Sequence, residues 1–368
     1  MGESEKVVHE EAVIVQSDWN YVLKEVAFPK FFIGIRRADE KHKFFNIQYT
    51  RHGYEVEDAD EYHIKVEVTP QTLRVSTPTI DTLFIAPDDE IGNVHPSAIR
   101  SMDVSCTGNM IVSTDSSGNM SVINSMNGDV LRKLEGHIMD IYKCRFFPSG
   151  MVVLSAGMDL TVRVWSVETG QCVRTFKGHT QGYYLLWKFF KTEIYFCVFM
   201  ITFIFFSCYC QLIAVSCESK KIVMYNVDEV AEVCSLCMDN IPLAVHFDYE
   251  FTSIIYVGDD KGMISVYDIN KKGLKYSCVN DIFFYYRSAV RRLLSSRGAV
   301  IKLLSRSEGL FVAFNDGSMC CYNRDLSSVY PIFEFSGSDC DPIYDFACYK
   351  KYLYTASRDK IIRKYKIP

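Results

Sequence analysis

Residues 147–179 read FPSGMVVLSAGMDLTVRVWSVETGQCVRTFKGH, and residues 105–137 read SCTGNMIVSTDSSGNMSVINSMNGDVLRKLEGH. The two stretches align without gaps at an offset of 42 residues, which places Ile123 opposite Trp165 and ends both on Gly-His. Each contains short β-branched runs, such as MVVLS and TVRVW, that are bounded by turn residues. A repeat of this period predicts an all-β protein made of equivalent sheets.

The repeat has the marker residues of WD40 units, which place Gly-His before the first strand and a Trp-Asp-like pair at the end of the third. Counted from the first unit, equivalent positions recur at spacings of 42, 60, 42, 55 and 43 residues. They are Ile123, Trp165, Tyr225, Tyr267, Tyr322 and Tyr365. Propellers contain about four to eight four-stranded blades. The six units therefore predict an all-β WD40 β-propeller with about six readable blades.

The second unit carries a set of polar residues that WD40 repeats, which it resembles, join into a buried hydrogen-bonded chain. The four residues are His137, Ser155, Asp159 and Trp165. A buried carboxylate and imidazole require partners, and this chain supplies them within one blade. Hydrolases use Ser, His and Asp for catalysis, but here the Ser is expected to face a Trp inside a blade. We therefore assign the set a structural role.

The turn Asp of this set is not present in every unit. It recurs as Asp316 and Asp359. Elsewhere it is replaced by Ser117, Ser219 and Lys261. We expect the blades with a replacement to lack the complete buried chain.

The interval of 55 residues between Tyr267 and Tyr322 contains an imperfect tandem repeat. RSAVRRLLSS at 287–296 is followed by RGAVIKLLS at 297–305. Removing one copy restores the period of a WD40 blade, which is about 40–45 residues. The second copy therefore predicts an extended surface loop or basic hairpin.

The interval of 60 residues contains an uncharged stretch, 194–217, that is long enough to span a bilayer. A transmembrane helix here would place the flanking blades on opposite sides of the membrane. A buried strand pair would need turn residues, yet neither Gly nor Pro occurs between Tyr183 and Gln211. The stretch is rich in residues with T-rich codons. We interpret about 182–211 as sequence foreign to the propeller, such as a translated intron.

Charge divides the chain near residue 95. Residues 1–95 hold 18 acidic and 10 basic residues, a balance of −8, so the remainder carries +3 of the total of −5. We divide the chain into an acidic N-terminal domain, 1–95, and a propeller, 96–368, interrupted at about 182–211. The last unit has only three strands, so we expect a strand within 64–86 to complete it and close the ring.

Several classes of function lack their sequence signals. No basic face is indicated, so we predict no nucleic-acid partner. Cys234 and Cys237 have metal-ligand spacing, but zinc needs a second pair, so we predict no metal. Walker, nucleophile-elbow and HExxH motifs are absent, which predicts no enzyme activity, no cofactor and no small-molecule substrate. The acidic N-terminus has no signal-peptide pattern, so we expect a cytoplasmic and nuclear protein.

Three stretches resemble the proteasomal ATPase-associated factors, WD40 proteins of the proteasome regulatory particle. They are 16–20 (QSDWN), 145–166 (RFFPSGMVVLSAGMDLTVRVWS) and 339–365 (DCDPIYDFACYKKYLYTASRDKIIRKY). The resemblance implies a seven-bladed propeller after a small N-terminal domain, so one blade is missing here. It also implies a scaffold that binds ATPase subunits of the proteasome 19S base and regulates assembly, as a chaperone or a brake.

In WD40 propellers, residues just before the turn Asp and near the starts of inner strands lie on the upper face. The candidates for a protein-binding face are Ser116, Asp140, Met158, Glu218, Asp260, Asn315, Tyr344 and Arg358. Their mixed character does not identify a ligand.

Two alternative functions belong to other classes. A substrate receptor of a cullin ubiquitin ligase usually has Trp-Asp-x-Arg after the third strand, whereas this chain has Trp165-Ser-Val-Glu168. A membrane-anchored WD40 scaffold depends on 194–217 alone, and we favour no membrane contact.

Overall fold

A computed structural model describes most of the chain. The described residues are 8–9, 12–36, 42–51, 53–57, 62–177, 204–206, 212–217, 220–226, 231–251, 253–268, 274–279, 282–287, 291–339 and 341–368. They form one short helix, α1 (Trp19–Glu25), and many short strands, as expected from the β-branched runs. The prediction of an all-β fold is confirmed.

The strands follow one another along the chain in a regular series. The N-terminal half contains β1 (Val8–His9), β2 (Ala12–Val15), β3 (Lys30–Arg36), β4 (Lys43–Thr50), β5 (Gly53–Val56), β6 (Lys65–Val68), β7 (Thr72–Ser76), β8 (Asp81–Ile85), β9 (Asp89–Ile91), β10 (Ile99–Val104), β11 (Met110–Asp115), β12 (Met120–Asn124), β13 (Val130–Lys133), β14 (Ile141–Phe146), β15 (Val152–Gly157), β16 (Val162–Ser166) and β17 (Cys172–Phe176). The C-terminal half contains β18 (Ile204–Phe206), β19 (Leu212–Cys217), β20 (Lys221–Asn226), β21 (Ala231–Cys237), β22 (Pro242–Phe247), β23 (Ile254–Asp259), β24 (Met263–Asp268), β25 (Leu274–Val279), β26 (Ile282–Arg287), β27 (Arg291–Leu294), β28 (Val300–Arg306), β29 (Gly309–Phe314), β30 (Met319–Tyr322), β31 (Phe333–Phe335), β32 (Ile343–Tyr349), β33 (Tyr352–Ser357) and β34 (Ile362–Lys366).

The chain divides into two compact units. The first contains the described residues of 1–86 and 200–339, and the second contains those of 87–199 and 340–368. The second unit holds three four-stranded antiparallel sheets, ordered β10-β11-β12-β13, β14-β15-β16-β17 and β32-β33-β34-β9. In the first two of these sheets the second strand is almost wholly buried and the fourth is largely exposed, as in the pattern iBBBBB of β11 against the fully exposed β13.

The first unit holds three more sheets of the same kind. They are β18-β19-β20-β21, β22-β23-β24-β27 with β1 added at its edge, and β28-β29-β30-β31 extended by β8, β7 and β6. A separate sheet, β2-β3-β4-β5, forms the N-terminal part together with α1. All six reference positions of the repeat lie on the third strand of their sheet. Six readable units in the sequence thus correspond to six meandering sheets in the described residues.

Our expectation for the strand that completes the last sheet was wrong in its position. The strand beside β34 is β9, Asp89–Ile91, which pairs antiparallel with it. The strands within 64–86 instead join the sheet of β31, where β8 pairs in parallel with Phe333–Phe335. In this pairing, Glu90 of β9 lies 3.0 Å from Arg363 of β34. The domain boundary at residue 95 remains a prediction.

The expectation for the tandem repeat at 287–305 was also wrong. Its first copy forms β27, the fourth strand of one sheet, and its second forms β28, the first strand of the next. Leu293 of β27 is only 2% exposed, so this strand is an integral part of its sheet. The additional residues are the hairpin β25–β26, whose strands pair only with each other among the described residues.

Most of the hydrophobic segment lies outside the described residues, as 178–203 and 207–211. Within it, Ile204–Phe206 forms β18 and pairs antiparallel with β19. The interpretation of 182–211 as foreign sequence remains a prediction. Among the described residues, the structure contains no helix with the length and hydropathy needed to cross a bilayer.

The N-terminal sheet is joined to the sheet of β28–β31 by specific contacts within the first unit. Trp19 is fully buried, and its indole Nε1 donates to Ser336 Oγ at 2.9 Å. Arg36 Nη1 lies 3.3 Å from Asp316 Oδ2. Because β8 also continues that sheet in parallel with β31, this sheet depends on the N-terminal residues for its edge.

Deletion of residues 1–91 tests this dependence. The deletion removes β1, β8 and β9 and leaves the edges of β27, β31 and β34 unpaired. We expect the melting temperature to fall by about 10 °C or more, since about 1 kcal/mol shifts a domain of this size by about 2–4 °C. Thermal unfolding followed by circular dichroism measures this. A chain that lacks only residues 1–7 is the control, and equal melting of both truncated chains would contradict the prediction.

Candidate protein-binding surface

The structure brings the four predicted tetrad residues into one hydrogen-bonded chain. Trp165 Nε1 donates to Ser155 Oγ at 2.8 Å, and that oxygen lies 2.7 Å from His137 Nε2. His137 Nδ1 lies 2.8 Å from Asp159 Oδ2. An indole nitrogen can only donate, so it uses one lone pair of the Ser155 oxygen and leaves the hydroxyl proton available for His137 Nε2. Burial lowers the pKa of His137, which favours the neutral imidazole, whose Nδ1–H then donates to the carboxylate.

Burial determines the protonation of this chain. It lowers the pKa of His137, although the nearby Asp159 carboxylate partly opposes the effect. Burial alone would raise the pKa of Asp159, but hydrogen bonds from Thr161 and the interaction with His137 outweigh it, so the pKa lies below its usual value. Arg163 adds an ion pair at 3.6 Å.

The tetrad holds two turns in contact with each other. Met158 N donates to Asp140 O at 2.7 Å, which joins the β15–β16 turn to the loop that enters β14. A Cβ on Gly118 would approach Met139 O to 2.7 Å, so only glycine permits this loop to lie against the β11–β12 turn. Gly118 also has a φ of +84°. The ends of these strands are thus closely packed.

One other sheet contains a variant of the tetrad that sequence reasoning missed. His95 Nε2 lies 2.7 Å from Ser113 Oγ, and His95 Nδ1 lies 3.5 Å from Asp115 Oδ2. Burial acts to raise the pKa of Asp115, but hydrogen bonds from Asn119 and Ser117 and the nearby His95 outweigh it and lower it to about 2. Because Ile123 replaces the Trp and His95 Nδ1 has no hydrogen-bond partner among the described residues, this sheet lacks the complete buried chain, as expected from Ser117. His95 lies 42 residues before His137, and that spacing could have revealed the variant.

The turn carboxylate takes a different partner in each sheet. Asp259, two residues before Lys261, accepts the turn amides of Lys261 and Met263 at 2.9 Å. Asp316 forms an ion pair with Arg36. Asp359 forms one with Arg363 at 2.6 Å. Ser219 lies outside the described residues. A carboxylate at either of two positions can therefore satisfy the turn.

Seven of the eight predicted face residues lie in the described residues, and five of them occupy equivalent places. In five sheets, the amide of the face residue at the turn donates to the carbonyl of the residue just before the first strand. The pairs are Ser116 to Ala98, Met158 to Asp140, Asp260 to Ile241, Asn315 to Ala299 and Arg358 to Pro342, at 2.7–3.1 Å. Glu218 lies outside the described residues.

The second unit brings part of this face together. Arg100 Nη2 lies 4.0 Å from Asp140 Oδ2, and the Arg100 guanidinium lies 5.0 Å from the centre of the Tyr344 ring. Arg358 Nε donates to Asp341 Oδ1 at 2.7 Å. Asp260 and Asn315 belong to the first unit. The assignment of all these residues to a binding face remains a prediction.

Of the apolar part of this surface, sequence reasoning identified only Met158. Four apolar side chains next to the tetrad are exposed: Ile138 (82%), Met139 (48%), Met158 (51%) and Leu160 (36%). They flank His137 and Asp159 in the sequences GHIMD and GMDL. Apolar residues at turns, where polar ones are usual, are the signal that could have identified the patch.

A buried carboxylate joins three sheets beneath this surface. Asp345 on β32 is fully buried and accepts from Ser101 Oγ of β10 at 2.6 Å and from Arg145 Nη1 of β14 at 3.0 Å. Lys143 Nζ lies 3.7 Å from the same carboxylate. Within the described ranges, no group of three or more His, Cys, Asp or Glu residues is placed to hold a metal.

Replacement of Asp159 tests the tetrad. Asp159→Asn places an amide N–H against either His137 or Thr161, both of which donate to the carboxylate. We expect the free energy of unfolding to fall by about 1–3 kcal/mol, the cost of leaving a buried polar group without a partner. Urea unfolding measures this. Glu168→Gln, on an exposed turn, should change stability by less than about 0.5 kcal/mol, and equal effects of the two substitutions would refute the role of Asp159.

The lowered pKa of His137 predicts a pH dependence. Below its ordinary value of about 6.5 the unfolded histidine binds a proton that the folded one does not, so stability should fall as the pH drops from about 7 to 5. His137→Gln removes this contribution, so its stability should fall less over the same range. Urea unfolding at several pH values compares the two chains, and parallel pH profiles would count against a neutral His137.

Comparisons with known proteins agree with the fold. The WD40 family, described as WD domain, G-beta repeat, matches residues 128–166. Proteasomal ATPase-associated factor 1 of Gallus gallus is 32% identical over 144 residues, 37% of this chain and 36% of the relative. The Bos taurus protein of that name is 28% identical over 359 residues, 84% of this chain and 86% of the relative.

A shorter match involves a second proteasome protein. The 26S proteasome regulatory subunit RPN14 of Saccharomyces cerevisiae is 36% identical over 63 residues, which are 17% of this chain and 15% of the relative. The resemblance inferred from 16–20, 145–166 and 339–365 is confirmed. The chain is therefore an all-β protein that contains a match to the WD40 repeat at 128–166, and it is similar over most of its length to a protein named proteasomal ATPase-associated factor 1.

Proposed function

We propose that the chain is a non-enzymatic scaffold that binds ATPase subunits of the proteasome 19S base and regulates proteasome assembly or activity in the cytoplasm and nucleus. The observation that carries the proposal is the similarity over 84% of the chain to a protein named proteasomal ATPase-associated factor 1. The match to a protein named as a 26S proteasome regulatory subunit supports the same assignment.

The geometry of the tetrad supports a role in binding over one in catalysis. A catalytic serine must reach substrate, and its hydroxyl must be available to a base. Ser155 is fully buried, and its oxygen already accepts the indole N–H of Trp165. The side chains of His137 and Asp159 are 0% and 2% exposed. These groups stabilise the sheet, and no substrate could approach them without unfolding it.

The exposed ends of the sheets in the second unit suit protein recognition. Five of the predicted face residues lie there: Ser116, Asp140, Met158, Tyr344 and Arg358. The exposed Ile138 and Met139 add apolar area beside the charged Arg100. An apolar centre with a polar rim is the usual composition of a protein interface. In the first unit, by contrast, the turn Asp316 is contacted by Arg36 of the N-terminal sheet.

Affinity capture tests the proposal. The tagged full-length chain is mixed with purified 19S base and, separately, with individual base ATPase subunits. We expect at least one ATPase subunit to be retained, and the tag alone serves as the control. The chain must show a cooperative unfolding transition in the same preparation. A folded chain that retains no ATPase subunit would refute the proposed function.

A second readout addresses regulation. Base assembly from its separated parts is followed by native electrophoresis with and without an equimolar amount of the chain. A regulator changes the amount of completed base at a fixed time, upward for a chaperone and downward for a brake. An unchanged yield, with binding retained, would contradict the regulatory part of the proposal.

A further inference from the structure

The second unit presents one apolar patch whose members all adjoin the tetrad in sequence. We define the apolar patch as Ile138, Met139, Met158 and Leu160. Ile138 and Met139 follow His137, and Met158 and Leu160 flank Asp159. The hydrogen bond from Met158 N to Asp140 O joins the two turns that carry them. Exposed apolar side chains grouped in this way mark an interaction site more often than isolated ones do.

The backbone that carries the patch is held in place by the tetrad and by contact with a neighbouring turn. His137 and Asp159 are locked by the buried hydrogen-bonded chain, and the Met139 segment lies against Gly118. The only described sheet with the full His-Ser-Asp-Trp set is thus the one that carries the patch. A backbone already fixed in place loses little conformational entropy on binding, which favours the use of its side chains as anchors for a partner.

Five backbone amides in the turns around the patch already have acceptors. The amides of Met158, Leu160 and Thr161 donate to Asp140 O, Gly157 O and Asp159 Oδ1. Those of Ser116 and Gly118 in the neighbouring turn donate to Ala98 O and Asp115 O. These amides are therefore not available to bond an added strand of a partner. This favours a partner that satisfies its own backbone and offers side chains, as an amphipathic helix does.

The positive charge beside the patch indicates that the partner carries a negative charge there. Arg100 lies 4.0 Å from Asp140, at the limit of an ion pair, and its side chain is 37% exposed. Arg358, by contrast, already donates to Asp341 at 2.7 Å. Arg100 is therefore the cation beside the patch with which a carboxylate of a partner would form an ion pair.

We propose that the apolar patch docks one amphipathic helix, with an acidic residue beside its apolar face that pairs with Arg100. The methionines suit this role because their flexible side chains adapt to the ridges of a helix. On the proposed function, on which this part of the inference rests, the helix belongs to a base ATPase subunit. The occupant is defined by its chemistry, apolar on one face and acidic at the flank.

Designed peptides test the chemistry without any ATPase. Two helical peptides share the same leucine face and carry either glutamates or lysines beside it. Fluorescence anisotropy with the full-length chain should show at least tenfold tighter binding of the glutamate peptide. Ile138→Asp and Met158→Asp should each weaken that binding at least tenfold. Met126→Asp, at a 70% exposed methionine on the β12–β13 turn, is the matched control and should leave it unchanged.

Charge reversal tests the contribution of Arg100. Arg100→Glu should remove the preference for the glutamate peptide or reverse it in favour of the lysine peptide. The inference is overturned if the two peptides bind the unsubstituted chain equally or not at all, or if Ile138→Asp and Met126→Asp bind the glutamate peptide alike. Circular dichroism and melting curves confirm that each variant is folded before binding is measured.

The same variants separate this inference from the proposed function. If the chain captures a base ATPase and Ile138→Asp abolishes capture while Met126→Asp does not, both stand. If both variants capture the ATPase equally, the docking inference fails and the proposed function stands. If no ATPase is captured but the glutamate peptide binds through the patch, the proposed function fails and the patch remains a helix-docking site.

Discussion

In five of the six meandering sheets, the described residues place a carboxylate at the sharp turn between the second and third strands, where it accepts turn amides. Amides at a tight turn have no partners in the sheet, and leaving them unsatisfied away from water costs about 1–3 kcal/mol each. Asp115, Asp159, Asp259, Asp316 and Asp359 each accept at least one turn amide. Four of these carboxylates also pair with a basic side chain, a histidine in two sheets and an arginine in two others, and Asp259 accepts from the Asn240 amide. The feature that recurs from sheet to sheet is a carboxylate that accepts turn amides, whereas the residues around it differ.

This recurrence explains which features could be predicted from the sequence. The period of 42 residues located the third strand of all six sheets, because a large side chain must fill the same position in each. The tetrad around Trp165 was predicted because it contains every expected residue. The variant with His95 and Asp115 was not, because its carboxylate sits two positions earlier and Ile123 replaces the Trp. A local motif identifies the buried chain only where the sheet uses the usual residues at the usual positions.

Long-range pairing was the harder part. Nothing in the local pattern of Asp89–Ile91 distinguishes it from the strands just before it, and its partner Arg363 on β34 lies 273 positions away from Glu90. The hairpin β25–β26 was likewise misread, because two similar apolar runs at 287–305 looked like one strand and its duplicate. They are strands of two different sheets. The exposed apolar patch escaped notice since periodicity identifies buried positions and says little about turns.

The pairing of β9 with β34 has a consequence for synthesis. The ribosome makes Ile91 long before it makes the partner of that residue, Ile362. The same delay applies to Ile85 and Phe335, and to Val8 and Leu293. Contacts this distant in sequence form slowly. Until those partners are translated, the N-terminal strands therefore have unpaired edges. Such edges can aggregate or bind a chaperone.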